Sequence, residues 1–394
     1  MNLANLEQST PQPLERRINP QKLFLDNQSD DAIRNRAEWK KAKEADNGQM
    51  TLFIVCGDAR IVTTEIFGGK KIVSISSIAG SGDLKPFVNL LRDDYVGQII
   101  VVGHFDHEKI NDTGKIAGCG GVDTSKKLEE EKIKLENEEL GEFLEQKVTP
   151  EFFDNVDKIV NEAALLSGKP VLGVLLDHLT YGAFPIIEQI GKQPLKLAYQ
   201  NLKKFKKGQI NNLEEFLTIS SGIFPELKIE DLNNQFRKII EKNRKRAKKR
   251  LIEDPDFIER QRTQNPSTVV VSTCPMPVAL RYKKTFGRPN EAFVIRQPFV
   301  KSASGEIFIE DIDIKSIVGQ IYYPLSHTLL NDPTKGFNST KDLLIETPSL
   351  ELSKQIADKL LKIQFIQDWM SQCGGKIMIG EIKEVETTQI LPYP

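Results

Sequence analysis

Three short segments concentrate side chains able to do chemistry. Cys56-Gly57-Asp58-Ala59-Arg60 directly follows the apolar run Thr51–Val55, and Gly103-His104 directly follows the apolar run Gln98–Val102. Cys119-Gly120-Gly121 comes fifteen residues after His104. If the two runs are neighbouring strands, one edge gathers two thiolates and one imidazole. That donor set suits Zn(II), and three protein ligands leave a fourth position open for water or another exogenous ligand. An open position points to catalysis rather than to a purely structural site. Asp58 could accept a hydrogen bond from a metal-bound water, or swing onto the metal and close it. Arg60 could grip Asp58 in a bidentate fork and fix its orientation. Taken singly, Cys56 reads as a buried core thiol and His104 as a hydrogen-bonded core histidine. Their shared place at predicted strand ends is what favours a metal.

Each segment needs a strand end to hold it. Asn27-Gln28-Ser29-Asp30 reads as the start of a helix through DDAIRNRAEWKKAKEAD, and residues 1–25 as a loosely packed polar arm. Strands are predicted at Thr51–Val55, Lys71–Ile75, Gln98–Val102 and Val171–Leu176, with a helix over Lys85–Arg92. This alternation predicts an α/β fold with a mainly parallel sheet flanked by helices. In such sheets ligands bind beyond the carboxyl ends of the strands. The acidic segment Leu128–Lys147 reads as a solvated helix.

Beyond residue 194 the rhythm repeats. A lysine-rich helical connector (Leu195–Leu217) precedes a basic helix from Phe236 to Arg250, read as a charged outer face rather than an RNA-binding patch. Candidate strands follow at Val269–Ser272, Ala292–Ile295, Gly319–Tyr322 and Lys376–Gly380. Val55-Cys56 corresponds to Thr273-Cys274, and Ile66-Phe67-Gly68 to Thr285-Phe286-Gly287. Val96–Ile99 corresponds to Val318–Ile321, and Gly168-Lys169 with Gly173 to Gly375-Lys376 with Gly380. Matches in one order predict an internal duplication packed as an intramolecular pseudo-dimer. The expected divisions are an arm over 1–29, a first copy over 30–193, a connector over 194–225 and a second copy over 226–394. In the second copy Met276 and Val278 replace Asp58 and Arg60, and His327 lies near the expected ligand position. Cys373 falls opposite Leu166 rather than Cys119, and Arg296 where the first copy has Ser77. A metal-free second copy is expected, the alternative being a remnant zinc site from Cys274, His327 and Cys373.

Composition narrows the partners. The chain has 394 residues with 39% hydrophobic and 28% charged residues, ordinary for globular domains, and its length predicts two or three. A net charge of −1 gives no global case for nucleic acid or for a membrane surface. No apolar run reaches the ~18–20 residues of a membrane span. The first residues lack the apolar core of a signal peptide. Four dispersed cysteines are too few for a disulfide scaffold, which makes the reducing cytoplasm the expected location.

The first copy resembles the β-class carbonic anhydrases. The resemblance rests on Cys56, Asp58 and Arg60, then Ile66-Phe67, Gly103-His104 and Cys119-Gly120-Gly121, and on the last core strand Gly173–Asp177. It covers roughly residues 30–193, and the second copy resembles the family in outline. This implies two β-carbonic-anhydrase-like domains, one active and one degenerate, as in the carboxysomal shell anhydrase, with one half walling the other's cleft. It also implies zinc held by Cys56, His104 and Cys119, and a loop that returns Cys119 to the metal. The implied reaction is reversible hydration of CO2 to bicarbonate. Asp58 would aim the metal-bound hydroxide and Arg60 would hold Asp58, with two thiolates pushing the optimum toward alkaline pH. His107 is a candidate proton shuttle or an exposed loop histidine, and His178 has no assigned role. A homo-oligomer of pseudo-dimers would fit. Two other readings stay open: a related hydrolase of CS2 or COS, and an inactive scaffold or regulatory protein.

Overall fold

The computed structural model describes residues 17–45, 48, 50–77, 84–105, 152–190, 193–195, 227–296, 314–329 and 340–394. His107, Cys119, the acidic segment 128–147 and residues 196–217 of the connector lie outside the described residues, while Leu195, its expected first helical residue, ends a strand instead.

The first sheet grows from apolar runs buried on both faces. Strand β1 (Met50–Cys56) is buried along its whole length. Leu52 and Ile54 enter one core while Phe53 and Val55 enter another. Strands β2 (Ile72–Ser77), β3 (Val96–Phe105) and β4 (Val171–Asp177) run parallel to it, and β5 (Ala183–Ile190) and β6 (Gln193–Leu195) complete the order β2-β1-β3-β4-β5-β6 with antiparallel pairing. Helices α1 (Pro20–Asn27), α2 (Asp30–Glu44), α3 (Thr63–Ile66), α4 (Val88–Arg92) and α5 (Phe152–Ser167) connect or flank these strands. Ser29 caps α2 by accepting from the Ala32 amide, as the sequence leads one to expect. Gly173 lets α5 approach the sheet, because a Cβ there would lie 2.5 Å from Ile187 and 2.9 Å from Val160.

Helices α6 (Asn234–Glu253), α7 (Phe257–Arg262), α8 (Val278–Arg281), α9 (Lys283–Phe286), α10 (Ile314–Leu329), α11 (Leu350–Leu360) and α12 (Gln364–Cys373) accompany the second sheet. Its strands are β7 (Thr268–Ser272), β8 (Ala292–Arg296), β9 (Asp342–Thr347), β10 (Lys376–Lys383) and β11 (Glu386–Tyr393), ordered β11-β10-β9-β7-β8. Only β11 is antiparallel. The order and polarity of β8, β7, β9, β10 and β11 therefore repeat those of β2, β1, β3, β4 and β5. The registers repeat as well. Ile54 pairs with Val101 and Val101 with Gly173, while Ser272 pairs with Glu346 and Glu346 with Gly380. Cys56 and Cys274 each lie two residues beyond the paired residue of the first strand.

Two expectations are corrected. Gly319–Tyr322 is not a strand but part of α10, where Ile317, Ile321 and Leu325 are buried at helical spacing. The third strand of the second sheet is β9, an apolar run the repeat argument passed over. Residues 20–25 are not a loose arm: they belong to α1, and Leu23 is fully buried.

The halves exchange their leading helices. The Asp26 carboxylate accepts from the Lys284 and Thr285 amides at 3.1 and 2.7 Å, and the Asn27 and Asn35 amides donate to the Arg281 and Leu280 carbonyls. In return α6 lies across the first half. Its buried stripe of Phe236, Ile240, Asn243 and Ala247 faces inward, and Asn243 donates to the Ile66 and Tyr181 carbonyls. Lys238, Lys242, Lys245 and Lys249 face outward, the charged outer face expected of this helix. The edge strands β2 and β8 also meet, beside a hydrogen bond from the Ser74 amide to the Pro275 carbonyl at 3.3 Å. No helix among the described residues is long and apolar enough to cross a membrane.

Candidate functional site

Parallel pairing of β1 with β3 puts Cys56 and His104 at neighbouring carboxyl ends. The chain leaves β1 through Gly57, where a Cβ would lie 2.7 Å from the Val294 carbonyl oxygen. Only glycine lets this turn rest against β8. The turn is fastened there, since the Gly57 carbonyl accepts from the Val294 amide at 3.1 Å and the Ala59 carbonyl from the Asn290 amide at 2.8 Å.

Within the turn Asp58 and Arg60 form the fork that their spacing suggests. Arg60 Nε donates to Asp58 Oδ1 at 3.0 Å and Nη2 to Oδ2 at 2.6 Å, while the Arg60 backbone amide donates to Oδ1 at 2.8 Å. Both side chains are buried. Burial opposes the charge on Asp58. The adjacent guanidinium, its hydrogen bonds and His104 outweigh that and hold the carboxyl below its ordinary range. His104 Nε2 stands 4.0 Å from Asp58 Oδ2.

Arg60 is itself held from three further directions. Its Nη1 donates to His178 Nε2 at 2.9 Å and to the Gln261 carbonyl of α7 at 3.3 Å, and the Tyr181 hydroxyl donates to the Arg60 carbonyl. Because a guanidinium only donates, His178 Nε2 accepts, and the network assigns its proton to Nδ1. The His178 and His104 rings meet edge to face with centroids 5.7 Å apart. In the sequence His178 has no assigned role and nothing marks Gln261. The signal for His178 was its place: like Cys56 and His104, it lies at the carboxyl end of an apolar parallel strand. The Gln261 contact has no sequence signal, because it arises from the packing of the second half.

The donor chemistry fits a borderline metal in kind. Cys56 offers a thiol and His104 an imidazole, and Asp58 lies beside His104. Among the described residues, no group of three His, Cys, Asp or Glu is placed to hold a metal ion. Cys119, the third expected ligand, is outside them. Cys56, Gly57 and Asp58 line a small cavity to which the second half contributes both apolar residues, Val278, Phe286, Ala292 and Val294, and two arginines, Arg288 and Arg296.

The second half carries no such fork. Met276 and Val278, at the positions of Asp58 and Arg60, are buried apolar side chains. His327 does not stand at the place of His104. It belongs to α10, and the strand register puts Ser349, the N-cap of α11, at the level of His104. Cys373 ends α12, and burial raises its thiol pKa. Arg296 pairs with Ser272 as Ile75 pairs with Ile54, so Arg296 corresponds to Ile75 rather than to Ser77. A different ion pair fills this half: Arg281 donates to both Glu346 oxygens at 3.1 and 2.8 Å, with both side chains fully buried and Tyr282 donating to Glu346.

No protein-family model and no curated protein matches the chain. Among solved structures, one of two tetrameric β-carbonic anhydrases from the filamentous ascomycete Sordaria macrospora is similar at 19% identity and a TM-score of 0.24, covering 39% of this chain and 88% of that one. The β-carbonic anhydrase CafA of the fungal pathogen Aspergillus fumigatus is similar at 19% identity and a TM-score of 0.23, with the same coverage.

Proposed function

We propose that this chain is a carbonic anhydrase, built from one domain twice, with a single active site in its first half. The observation that carries this reading is the Asp58–Arg60 fork, buried beside His104 and one turn beyond Cys56. A carboxylate held this way is a permanent acceptor of fixed orientation. Cys56, His104 and Cys119 would hold the zinc ion. Zinc supplies the Lewis acidity that makes water a nucleophile near neutral pH. Asp58 accepts the hydrogen bond of the attacking water and so turns a lone pair toward CO2. Arg60 keeps Asp58 ionised and prevents it from turning onto the metal. Val278, Phe286 and Val294 give part of the cavity an apolar lining that suits a small neutral substrate. The second half supplies that lining and, through Gln261, a brace for Arg60.

The test is stopped-flow CO2 hydration between pH 7 and 9 on zinc-loaded wild type and Asp58→Asn. The wild type should hydrate CO2, and Asp58→Asn should lose roughly 100-fold or more in kcat/KM, the scale of a positioned acid–base group. No hydration by the zinc-loaded wild type would overturn the reading. If CS2 or COS were hydrolysed instead, the substrate assignment would be wrong and the site assignment would stand.

A further inference from the structure

Helix α6 sets nine lysines and arginines against two glutamates, a net charge of +7 in a chain whose total is −1. The charge is concentrated on one face. Lys238, Lys242, Lys245 and Lys249 recur every three or four residues and are exposed, opposite the buried stripe that packs on the first half. Lys249 reaches Glu253 at 3.5 Å, but Lys238, Lys242 and Lys245 have no ion-pair partner among the described residues. Like charges at this spacing repel and weaken a helix. The neighbouring Glu65 gives the stripe no relief, because Arg250 and Lys283 already share it. An anionic polymer laid over this face would remove the repulsion.

The chain itself carries a segment of the opposite sign. Residues 128–147 hold eight glutamates against three lysines, a net charge of −5. They belong to the stretch that leaves β3 after Phe105. The Phe105 carbonyl accepts from the His178 amide at 3.0 Å, at the start of the turn that ends in Tyr181. Asn243 of α6 donates to the Tyr181 carbonyl at 2.8 Å, and the Arg250 guanidinium lies 4.9 Å from the centre of the Tyr181 ring. The basic carboxyl-terminal half of α6 therefore borders the strand end from which the acidic stretch departs. The 22 residues between Phe105 and Leu128 can span at most roughly 70 Å. Helix α6 is only about 30 Å long, so every lysine of the stripe is within reach. We propose that the outward lysine face of α6 is the docking surface for the acidic segment 128–147 of the same chain. The contact is electrostatic, and the tether raises the effective concentration of the glutamates at the lysines. It uses none of the metal ligands, so it stands or falls separately from the anhydrase reading.

Carbodiimide cross-linking of the full-length chain is the test, because it joins a carboxylate to an amine only where the two touch. Peptide mass spectrometry should find cross-links from glutamates of 128–147 to the lysines of the α6 stripe at low salt. Their yield should fall roughly tenfold or more in about 0.5 M sodium chloride, which screens the charges. Lys242→Glu/Lys245→Glu should cut the cross-links to Lys238 and Lys249 as strongly, while Lys242→Arg/Lys245→Arg, which keeps the charge, should leave them in place. Absence of cross-links to α6 in wild type overturns the proposal. Equal yields at Lys41 of α2, on the opposite face of the first sheet, do the same, as do cross-links that survive the salt or the Lys→Glu changes. Cross-links that join isotopically heavy to light chains in a mixed sample would seat the segment on a second copy and overturn docking within one chain.

Discussion

Arg60 holds the site together, because one guanidinium satisfies a carboxylate, an imidazole and a carbonyl of the opposite half. Removing it leaves Asp58 ionised in a buried place, a loss on the order of 3–5 kcal/mol. Arg60→Gln should lower the unfolding free energy extrapolated from urea titrations by that amount, with the midpoint falling in proportion. The double variant Asp58→Asn/Arg60→Gln should lose less than the two single changes combined, because the stranded charge is gone. The depressed Asp58 pKa also fixes a sign. A lowered folded-state value contributes stability above the unfolded value near 3.8, and this is lost as pH falls through the folded value. Asp58→Asn should therefore show a shallower fall in stability than wild type below about pH 4 in urea titrations. At this scale Cys56, Asp58, Arg60 and His104 were legible, because residue type and strand-end position are both written in the chain. His178 was overlooked, since a lone histidine in sequence does not reveal that an arginine points at it.

Elements bring those residues into range, and Gly57 is the point where a strand end meets the opposing half. Gly57→Ala puts a methyl group 2.7 Å from a backbone oxygen, so the turn must lift from β8. The expected cost is about 1–3 kcal/mol, read by thermal unfolding, together with a loss of CO2 hydration because the Asp58–Arg60 fork rides on this turn. The four parallel strands of the first sheet were legible from uninterrupted apolar runs, whereas the antiparallel β5 and β6 were not. The failure at Gly319–Tyr322 has a physical cause. Four residues cannot separate a period of two from one of 3.6, and the deciding Ile317 and Leu325 lie outside that window. Strand β11 was missed because its exposed edge carries polar residues and Pro392, a pattern without a continuous apolar signal.

At the scale of the whole molecule, one of the cores does not respect the midpoint of the chain. Trp39, Leu52 and Ile54 share a cluster with Cys274, Met276 and Leu280. Trp369 sits in a cluster made of second-half residues. Single-tryptophan proteins made by Trp39→Phe and Trp369→Phe should consequently show one denaturant transition by fluorescence, with each probe's midpoint matching that protein's circular-dichroism midpoint. Separate fluorescence and circular-dichroism transitions would mean that the halves unfold independently. The repeated strand order was foreshadowed by the matches at Cys56 and Cys274 and at Gly173 and Gly380, while the match of Val96–Ile99 with Val318–Ile321 fails because the first is strand and the second is helix. How α1, α2 and α6 cross between the halves was not foreshadowed, because the contacts that anchor them join residues from 62 to 259 positions apart.

The most direct test of the proposed centre is zinc stoichiometry, measured by mass spectrometry of metals on the purified full-length chain. One zinc per chain is expected in wild type and in Cys274→Ala, and none in Cys56→Ala. Two zincs in wild type, or one retained in Cys56→Ala, would contradict a single centre at the end of β1.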